Sequence, residues 1–127
     1  MGSPESSSRG FDVYFSADVE TDGPIPGPYS MLSFGLAYAG AFDRETFFKP
    51  PEYDRTFYVE LKPISNKFEQ EALDVNGLDR DHLLSDGTDP KVAMTQAAAW
   101  VRKNAGIGSP VIVAYPLSFD LRPAVQN

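Results

Sequence analysis

Two carboxylates stand one residue apart near the start of the chain, in the run Asp18-Val-Glu20-Thr21-Asp22-Gly23. The residues before them, Val13 to Ala17, are typical of a buried strand, and side chains alternate between the two faces of a strand. Asp18 and Glu20 should therefore project from the same face, about 6 to 7 Å apart at roughly 3.3 Å per residue. Like charges this close raise a carboxyl pKa and oppose folding, whereas a divalent cation such as Mg²⁺ or Mn²⁺ neutralises them. The pair predicts a metal site.

The same run has two other interpretations. It can be an acidic turn that closes the strand, since Asp-Gly is a common turn sequence. It also resembles the start of a calcium-binding EF-hand loop, with acids at positions one, three and five and glycine at position six. The EF-hand interpretation fails because position twelve is Tyr29 instead of a bidentate Glu. It also needs an entering helix, and the preceding segment has the pattern of a strand.

Composition limits the class of protein. The chain has 127 residues, 42% of them hydrophobic and 13% aromatic, which predicts a single folded domain over residues 11–127. Residues 1–10 lack the apolar core of a signal peptide, and we expect a disordered leader there. No apolar stretch is long enough to span a bilayer, so we expect a soluble, cytoplasmic protein with no membrane partner. The absence of cysteine excludes disulfides and thiolate metal sites.

Net charge decides little about function. The chain has 11 basic and 18 acidic residues, a formal charge of −7, which argues against loose electrostatic attraction to nucleic acid. An enzyme that acts on nucleic acid remains compatible with this charge, because bound cations bring positive charge to the site and their carboxylate ligands make the chain acidic.

Three strands are predicted in the first half of the chain. A second strand over Tyr29 to Ala39 follows a loop rich in Gly and Pro and contains Gly35, a residue that often marks a bulge or a close backbone approach. A third runs over Thr56 to Lys62 and is stopped by Pro63. Three strands in succession suggest an antiparallel meander.

Helices and one more strand follow. Short helical turns are predicted over 68–73 and 79–84, and a longer helix begins at Asp89, a good cap, with Pro90 at its first position. This helix should reach about Asn104 and end at Gly106, and its alanine-rich face indicates close packing on a sheet. The run 111–115 is continuously apolar, as in a parallel strand buried on both faces. It leads to a third acid, Asp120, which we expect to face Asp18 and Glu20 across neighbouring strands.

The order of these motifs resembles that of the DEDD (DnaQ-like) family of 3'-to-5' exonucleases, which is related to the proofreading subunit of DNA polymerase III. Asp18-x-Glu20-Thr21 is similar to the first exonuclease motif and Ala114-Tyr-Pro-Leu-Ser-Phe-Asp120 to the second. Gly77-Leu78, with the acids that follow it, resembles the connector before the next helix. The resemblance extends from Phe11 to Asp120. It implies the α/β, ribonuclease H-like fold, a five-stranded mixed sheet flanked by helices.

The resemblance also implies a two-metal site for phosphodiester hydrolysis at the 3' end of a single-stranded nucleic acid. Asp18 would contact both Mg²⁺ or Mn²⁺ ions, Glu20 would bind one of them and help to position the terminal 3' hydroxyl, and Asp120 would complete the shell of the second ion. The backbone of Thr21 would meet the terminal nucleotide. Met31 and Leu32 would stack on it, although packing in the core is the better interpretation of these two residues.

The pattern breaks after Asp120. The family has a third motif, a His or Tyr general base followed by a last Asp ligand, and residues 121–127 contain neither. We therefore expect the fold to be C-terminally incomplete, without its last strand and helix. His82 is expected on the surface. Turn or cap positions, rather than the place of the missing ligand, are expected for Asp22, Asp43, Asp79 and Asp81.

Three explanations of the missing motif stay open at this point. The chain is a fragment of an exonuclease, or a natural degenerate homologue, or it completes its sheet edge as a homodimer. Two functions follow from the same residues. One is a metal-dependent 3'-to-5' exonuclease with weak or no activity in this chain alone. The other is a catalytically inactive module that binds nucleic acid or protein. Nothing in the sequence distinguishes DNA from RNA as substrate.

Overall fold

The computed structural model describes residues 10–24 and 28–114. The elements within this range, in chain order, are β1 (Asp12–Thr21), β2 (Met31–Phe42), β3 (Phe47–Phe48), β4 (Thr56–Glu60), α1 (Gln70–Asn76), α2 (Arg80–Asp86), α3 (Pro90–Ala105) and β5 (Ser109–Ala114). The predicted leader and the predicted third acid, Asp120, lie outside the described residues. No helix in the described part of the chain is both long and apolar enough to cross a membrane.

The sheet is mixed, with β1 at its centre. β1 pairs antiparallel with β2 on one side and parallel with β5 on the other. β3 and β4 both pair antiparallel with the far edge of β2. The antiparallel meander and the five-stranded mixed sheet flanked by helices are therefore confirmed. The two-residue strand β3 was not predicted, because a pair of aromatic residues carries no alternation to read.

The helix α3 makes the crossover between β4 and β5 and covers one face of the sheet. Asp89 caps it by accepting the backbone N–H groups of Lys91 and Val92, Pro90 occupies its first turn, and Gly106 follows its last residue. The small side chains of Ala97 and Ala105 are buried against Val13 and Phe15 of β1, so the helix can approach the sheet closely. This is the helix that the sequence predicts, in its predicted position.

β1 is longer than the sequence suggests. Its pairing with β2 continues through Asp18, opposite Gly35, and Glu20, opposite Ser33. The two acids lie inside the strand and not in a turn beyond its end. Because the register shifts in this pairing place the extra residues on β2, the alternation of side chains along β1 is not interrupted. Val13 and Phe15 face α3, and Asp18 and Glu20 face the other side, which we call the carboxylate face.

Two predictions of secondary structure need correction. The first short helix begins later than predicted, at Gln70, and continues to Asn76, because Gly77 adopts the left-handed conformation (φ 73°) that ends it. The strand β5 was expected to be buried on both faces, but Ile112 and Val113 are 49% and 45% exposed. Within the described residues β5 pairs with β1 alone and is therefore an edge strand of the sheet. An edge strand has neighbouring side chains on one side only, which leaves more of its faces exposed.

Candidate active site

Asp18 and Glu20 form an acidic pair without a cationic partner. Asp18 is exposed and Glu20 is partly buried. Burial raises the pKa of Glu20, and the negative charge of Asp18 raises it further. No cationic side chain within residues 10–24 and 28–114 forms an ion pair with either acid. The pair is therefore arranged as the sequence predicts, with an electrostatic conflict that a bound cation would relieve.

A cleft of about 560 Å³ opens beside the pair. Its polar wall is the end of β1, with Asp18, Glu20 and Thr21, and its opposite wall is α1, where Ala72 and Val75 present apolar surface. Val75 is 85% exposed. A cleft with one apolar wall and a few converging polar groups, in the usual volume range of about 300 to 1,000 Å³, is typical of a small-molecule or nucleotide site.

Asn76 joins the two walls of the cleft. Its side-chain Nδ2 donates a hydrogen bond of 3.1 Å to the backbone oxygen of Thr21, and its Oδ1 accepts one of 2.9 Å from the backbone N–H of Leu78. The amide is thus used in both directions, by the end of β1 and by the residue after α1. The sequence identifies the connector that contains Asn76 but not this contact.

Asp22, two residues beyond Glu20, is completely buried and paired. Its Oδ2 accepts a 3.0 Å hydrogen bond from Nε of Arg80, and its Oδ1 accepts one of 2.6 Å from the backbone N–H of Ser30. Its backbone oxygen also accepts the N–H of Glu69. Asp22 lies in the bend after β1, as expected of a turn residue, but its side chain is one half of a buried ion pair that was not expected. The partners of a turn residue usually lie close to it in the sequence. Those of Asp22 are Ser30 before β2, Glu69 at the N-terminus of α1 and Arg80 in α2.

Arg80 completes this Asp22–Arg80 ion pair from the first residue of α2. Its guanidinium also donates through Nη2 to the backbone oxygen of Ser65 and lies 4.8 Å from the ring centre of Phe68. The ion pair therefore fastens the segments that surround the cleft to one another. Sequence reasoning missed it because the partners lie 58 positions apart and no local spacing connects them.

The other predicted site residues fall in different places. Thr21 lines the cleft, and its hydroxyl donates to the backbone oxygen of Gly23. Leu32 is completely buried among Leu73, Leu83 and Leu78, so the structure assigns it to the core instead of to substrate contact. Met31 is 38% exposed and is not part of the lining of the cleft.

The described residues contain no cluster of three or more acids, histidines or cysteines suited to a metal ion. Asp120 lies outside them, so the predicted approach of this acid to the Asp18–Glu20 pair stays a prediction. His82 is on the surface beside Asp86, as expected, with Nδ1 to Oδ2 at 3.2 Å.

The chain is similar in sequence to a known exonuclease. Over 110 residues the chain is 40% identical to the 3'-5' DNA exonuclease Cap18 of Escherichia coli, a match that covers 86% of this chain and 53% of Cap18. The chain is therefore related in sequence to a 3'-5' exonuclease. It spans about half the length of this curated relative. No protein-family model matches it.

Solved structures of nucleases and exonucleases have the same fold at low sequence identity. The cell-death related nuclease 4 (CRN-4) aligns with a TM-score of 0.60 at 18% identity, over 83% of this chain and 35% of its own. The nuclease domain of 3'hExo, a DEDDh family member bound to rAMP, aligns with a TM-score of 0.54 at 13% identity. The alignment covers 94% of this chain and 57% of the 3'hExo chain. E. coli Exonuclease I in complex with a dT13 oligonucleotide aligns with a TM-score of 0.55 at 16% identity. The alignment covers 82% of this chain and 20% of the Exonuclease I chain. The predicted ribonuclease H-like fold is confirmed.

Proposed function

We propose that this chain carries the Asp18–Glu20 part of the active site of a metal-dependent 3'-to-5' exonuclease, which hydrolyses phosphodiester bonds at the 3' end of single-stranded DNA. One observation carries the proposal. Asp18 and Glu20, which resemble the acids of the first exonuclease motif, line the same cleft of nucleotide size in a chain that is 40% identical to a 3'-5' DNA exonuclease.

The donor set of the site fits Mg²⁺ or Mn²⁺. Carboxylate oxygens are the hard anionic ligands that these ions prefer. Burial, and after it the negative charge of Asp18, raise the pKa of Glu20, and a bound cation would offset both effects. Asp18 and Glu20 would hold the metal, with Asp120 as the further ligand that the family resemblance implies. When bound, two such ions activate a water molecule and stabilise charge on the attacking and leaving oxygens at phosphorus.

The residues of the chain orient the terminal nucleotide in this proposal. The apolar wall of Ala72 and Val75 takes the terminal base, and the polar wall holds its sugar and phosphate next to the two acids. Glu20 accepts the hydrogen bond of the 3' hydroxyl, and the backbone of Thr21 contacts the same nucleotide. Asn76 holds that backbone in place through the oxygen of Thr21.

DNA is the first substrate to test, since the relative with 40% identity is named a DNA exonuclease. RNA is the natural comparison, because one structural neighbour is a 3'-exonuclease described in 3'-end specific recognition of a histone mRNA stem-loop. Phosphate and stacking contacts at a strand terminus serve either nucleic acid, and a contact to the 2' hydroxyl would separate them.

The experiment combines trimming with binding. A 5'-fluorescein-labelled oligodeoxythymidine is incubated with the chain in Mg²⁺, in Mn²⁺ and in EDTA, and calorimetry measures Mn²⁺-dependent binding of dTMP, the expected product. Asp18→Asn and Glu20→Gln should each reduce both signals by more than about 100-fold, as expected for first ligands of a metal. Asp86→Asn on the surface of α2 removes the same charge away from the cleft and should change neither signal.

The outcomes separate the candidate functions. Metal-dependent shortening from the 3' end supports the exonuclease. Metal-dependent dTMP binding that requires Asp18 and Glu20, without shortening, supports the inactive binding module on the same scaffold. Absence of both signals, or equal signals from the wild type and Asp18→Asn, contradicts the proposal.

A further inference from the structure

Tyr58 lies on the carboxylate face of the sheet, close to the acidic pair. In the register of the sheet, Gly35 of β2 is opposite Asp18 of β1 on one side and opposite Tyr58 of β4 on the other. Residues directly opposite each other in antiparallel strands project from the same face. Asp18 and Tyr58 therefore flank a position that has no side chain, with their Cα atoms about 10 Å apart across two strand spacings.

The ring of Tyr58 leans over this glycine. A Cβ atom added to Gly35 would lie 3.7 Å from Cδ1 of the ring, which is ordinary contact distance. The far end of the ring is fixed because its hydroxyl donates a 2.8 Å hydrogen bond to Oε2 of Glu60. The residue nevertheless is 61% exposed. Tyr58 is thus an aromatic ring oriented by the sheet below it and by Glu60, with its remaining surface open.

The charges around the ring restrict what can bind there. Partial burial and the hydrogen bond to Glu60 raise the pKa of Tyr58, so the phenol stays neutral at physiological pH. The neighbouring carboxylates of Glu60 and Glu20 disfavour an anionic group in direct contact with the ring, so the group that packs on the ring should itself be uncharged. A nucleobase is such a group, since it is an uncharged aromatic ring. Every base can stack on the phenol ring of Tyr58, whatever its identity, because each has a π-face.

We propose that Tyr58 is a stacking subsite for the nucleobase that precedes the terminal nucleotide of a single strand whose 3' end occupies the cleft. This inference rests on the proposed function, since it requires a strand terminus at Asp18 and Glu20. It adds a position on β4 outside the cleft. Gly35 leaves the sheet surface between the two positions low, so that the strand passes from Tyr58 to the acidic pair without obstruction.

The test compares ligands of different length. Binding of dTMP and of a dithymidylate and a longer oligothymidylate is measured in Ca²⁺, which is used to limit hydrolysis. Tyr58→Ala should weaken binding of the two longer ligands by about tenfold and leave dTMP affinity unchanged, because only the longer ligands reach β4. Tyr58→Phe and Tyr58→Trp keep a ring and should retain most of the affinity. Tyr53→Ala, which removes another exposed tyrosine, is the matched control and should bind like the wild type.

A spectroscopic measurement gives an independent readout. An oligonucleotide with 2-aminopurine at the penultimate position should show quenched fluorescence when bound to the wild type or Tyr58→Trp, and a brighter signal when bound to Tyr58→Leu. The Leu variant preserves apolar bulk if the Ala variant does not fold. Equal affinities and equal quenching in the wild type and Tyr58→Leu would overturn the stacking subsite while the exonuclease proposal stands. Absence of metal-dependent dTMP binding in the wild type would overturn the exonuclease proposal itself and this inference with it.

Discussion

Asp22 and the Asp18–Glu20 pair belong to one short segment, yet their surroundings are opposite. Asp22 is completely buried, and both its carboxylate oxygens accept hydrogen bonds, one of them from the cation Arg80. Asp18 and Glu20 face the cleft without a cation from the described residues, and the pKa of Glu20 is raised. The same functional group thus stabilises the fold at one position and leaves negative charge for a ligand at positions two and four residues earlier.

The difference teaches how to separate structural from functional acids in this chain. A structural carboxylate is neutralised by its own protein, so its removal harms folding. A functional carboxylate is not neutralised by the protein. Its removal therefore weakens ligand binding, and it removes a charge repulsion from the folded protein when no metal is bound. The following substitutions test this distinction, in order of decreasing effect.

Breaking the buried pair should give the largest loss. Asp22→Ala or Arg80→Ala leaves a buried charge without its partner and should lower the free energy of unfolding by about 3–5 kcal/mol. Urea unfolding measures this loss. The double variant should lose less than the sum of the two, because it leaves no unpaired charge. Arg44→Ala breaks the exposed pair with Asp12 and should have a small effect. Equal losses for Arg80→Ala and Arg44→Ala would contradict the assignment.

Removing the amide of Asn76 should have the next largest effect. Asn76→Ala deprives the Thr21 oxygen of its donor and the Leu78 N–H of its acceptor, at a cost of about 1–3 kcal/mol in unfolding free energy. It should also weaken metal-dependent dTMP binding, since Thr21 lines the cleft. Gln70→Ala is the matched control, because it removes an amide of the same helix whose hydrogen bond to Asp74 is exposed. Unchanged dTMP binding in Asn76→Ala would contradict the proposal that Asn76 holds the Thr21 backbone in place for nucleotide binding.

Substitutions in the acidic pair should reverse sign with metal. Without metal, Asp18→Asn and Glu20→Gln remove a repulsion and should raise stability slightly, by less than about 1 kcal/mol because solvent screens the pair. With Mn²⁺ the wild type should gain stability by mass action, and both variants should gain less. Thermal unfolding in EDTA and in Mn²⁺ measures both effects. A wild type that gains nothing from Mn²⁺ would argue against a metal at this pair.

The pH dependence of stability should distinguish Glu20 from Asp12. Because the folded chain holds the proton of Glu20 more tightly than the unfolded chain, stability falls as pH rises from the ordinary value of 4.5 through the raised pKa. Asp12 behaves oppositely, since its hydrogen bond to Arg44 lowers its pKa and its contribution disappears as pH falls below 3.8. Urea unfolding at a series of pH values around 3.8 and 4.5 measures both effects. Glu20→Gln should remove the fall of stability with rising pH, and Asp12→Asn should remove the loss of stability at low pH.

Local patterns predict most of the fold. The alternation in β1 predicts a strand with both acids on one face, and Asp89, Pro90 and Gly106 predict α3, because these signals act within a few residues of the chain. The prediction for β5 is wrong about burial, since a continuous apolar run indicates what a strand prefers and not what covers it.

The parts of the site that were missed depend on distant partners. The role of Asp22 depends on Arg80, and that of Asn76 depends on Thr21, 55 positions away. Residue spacing carries no information about such contacts, so the sequence predicts the acids of the site better than the residues that hold them.

Asn76 has one further consequence, for the chemical lifetime of the protein. It precedes Gly77, and an Asn-Gly pair deamidates when the glycine nitrogen attacks the asparagine side chain. In the fold that nitrogen donates to the Leu73 oxygen, and the side chain is held by Thr21 and Leu78. Deamidation therefore requires local opening of this corner. Each such event converts the amide that donates to Thr21 into an acid. The deamidated fraction, measured by mass spectrometry as a preparation ages, should therefore report how often this wall of the cleft has opened.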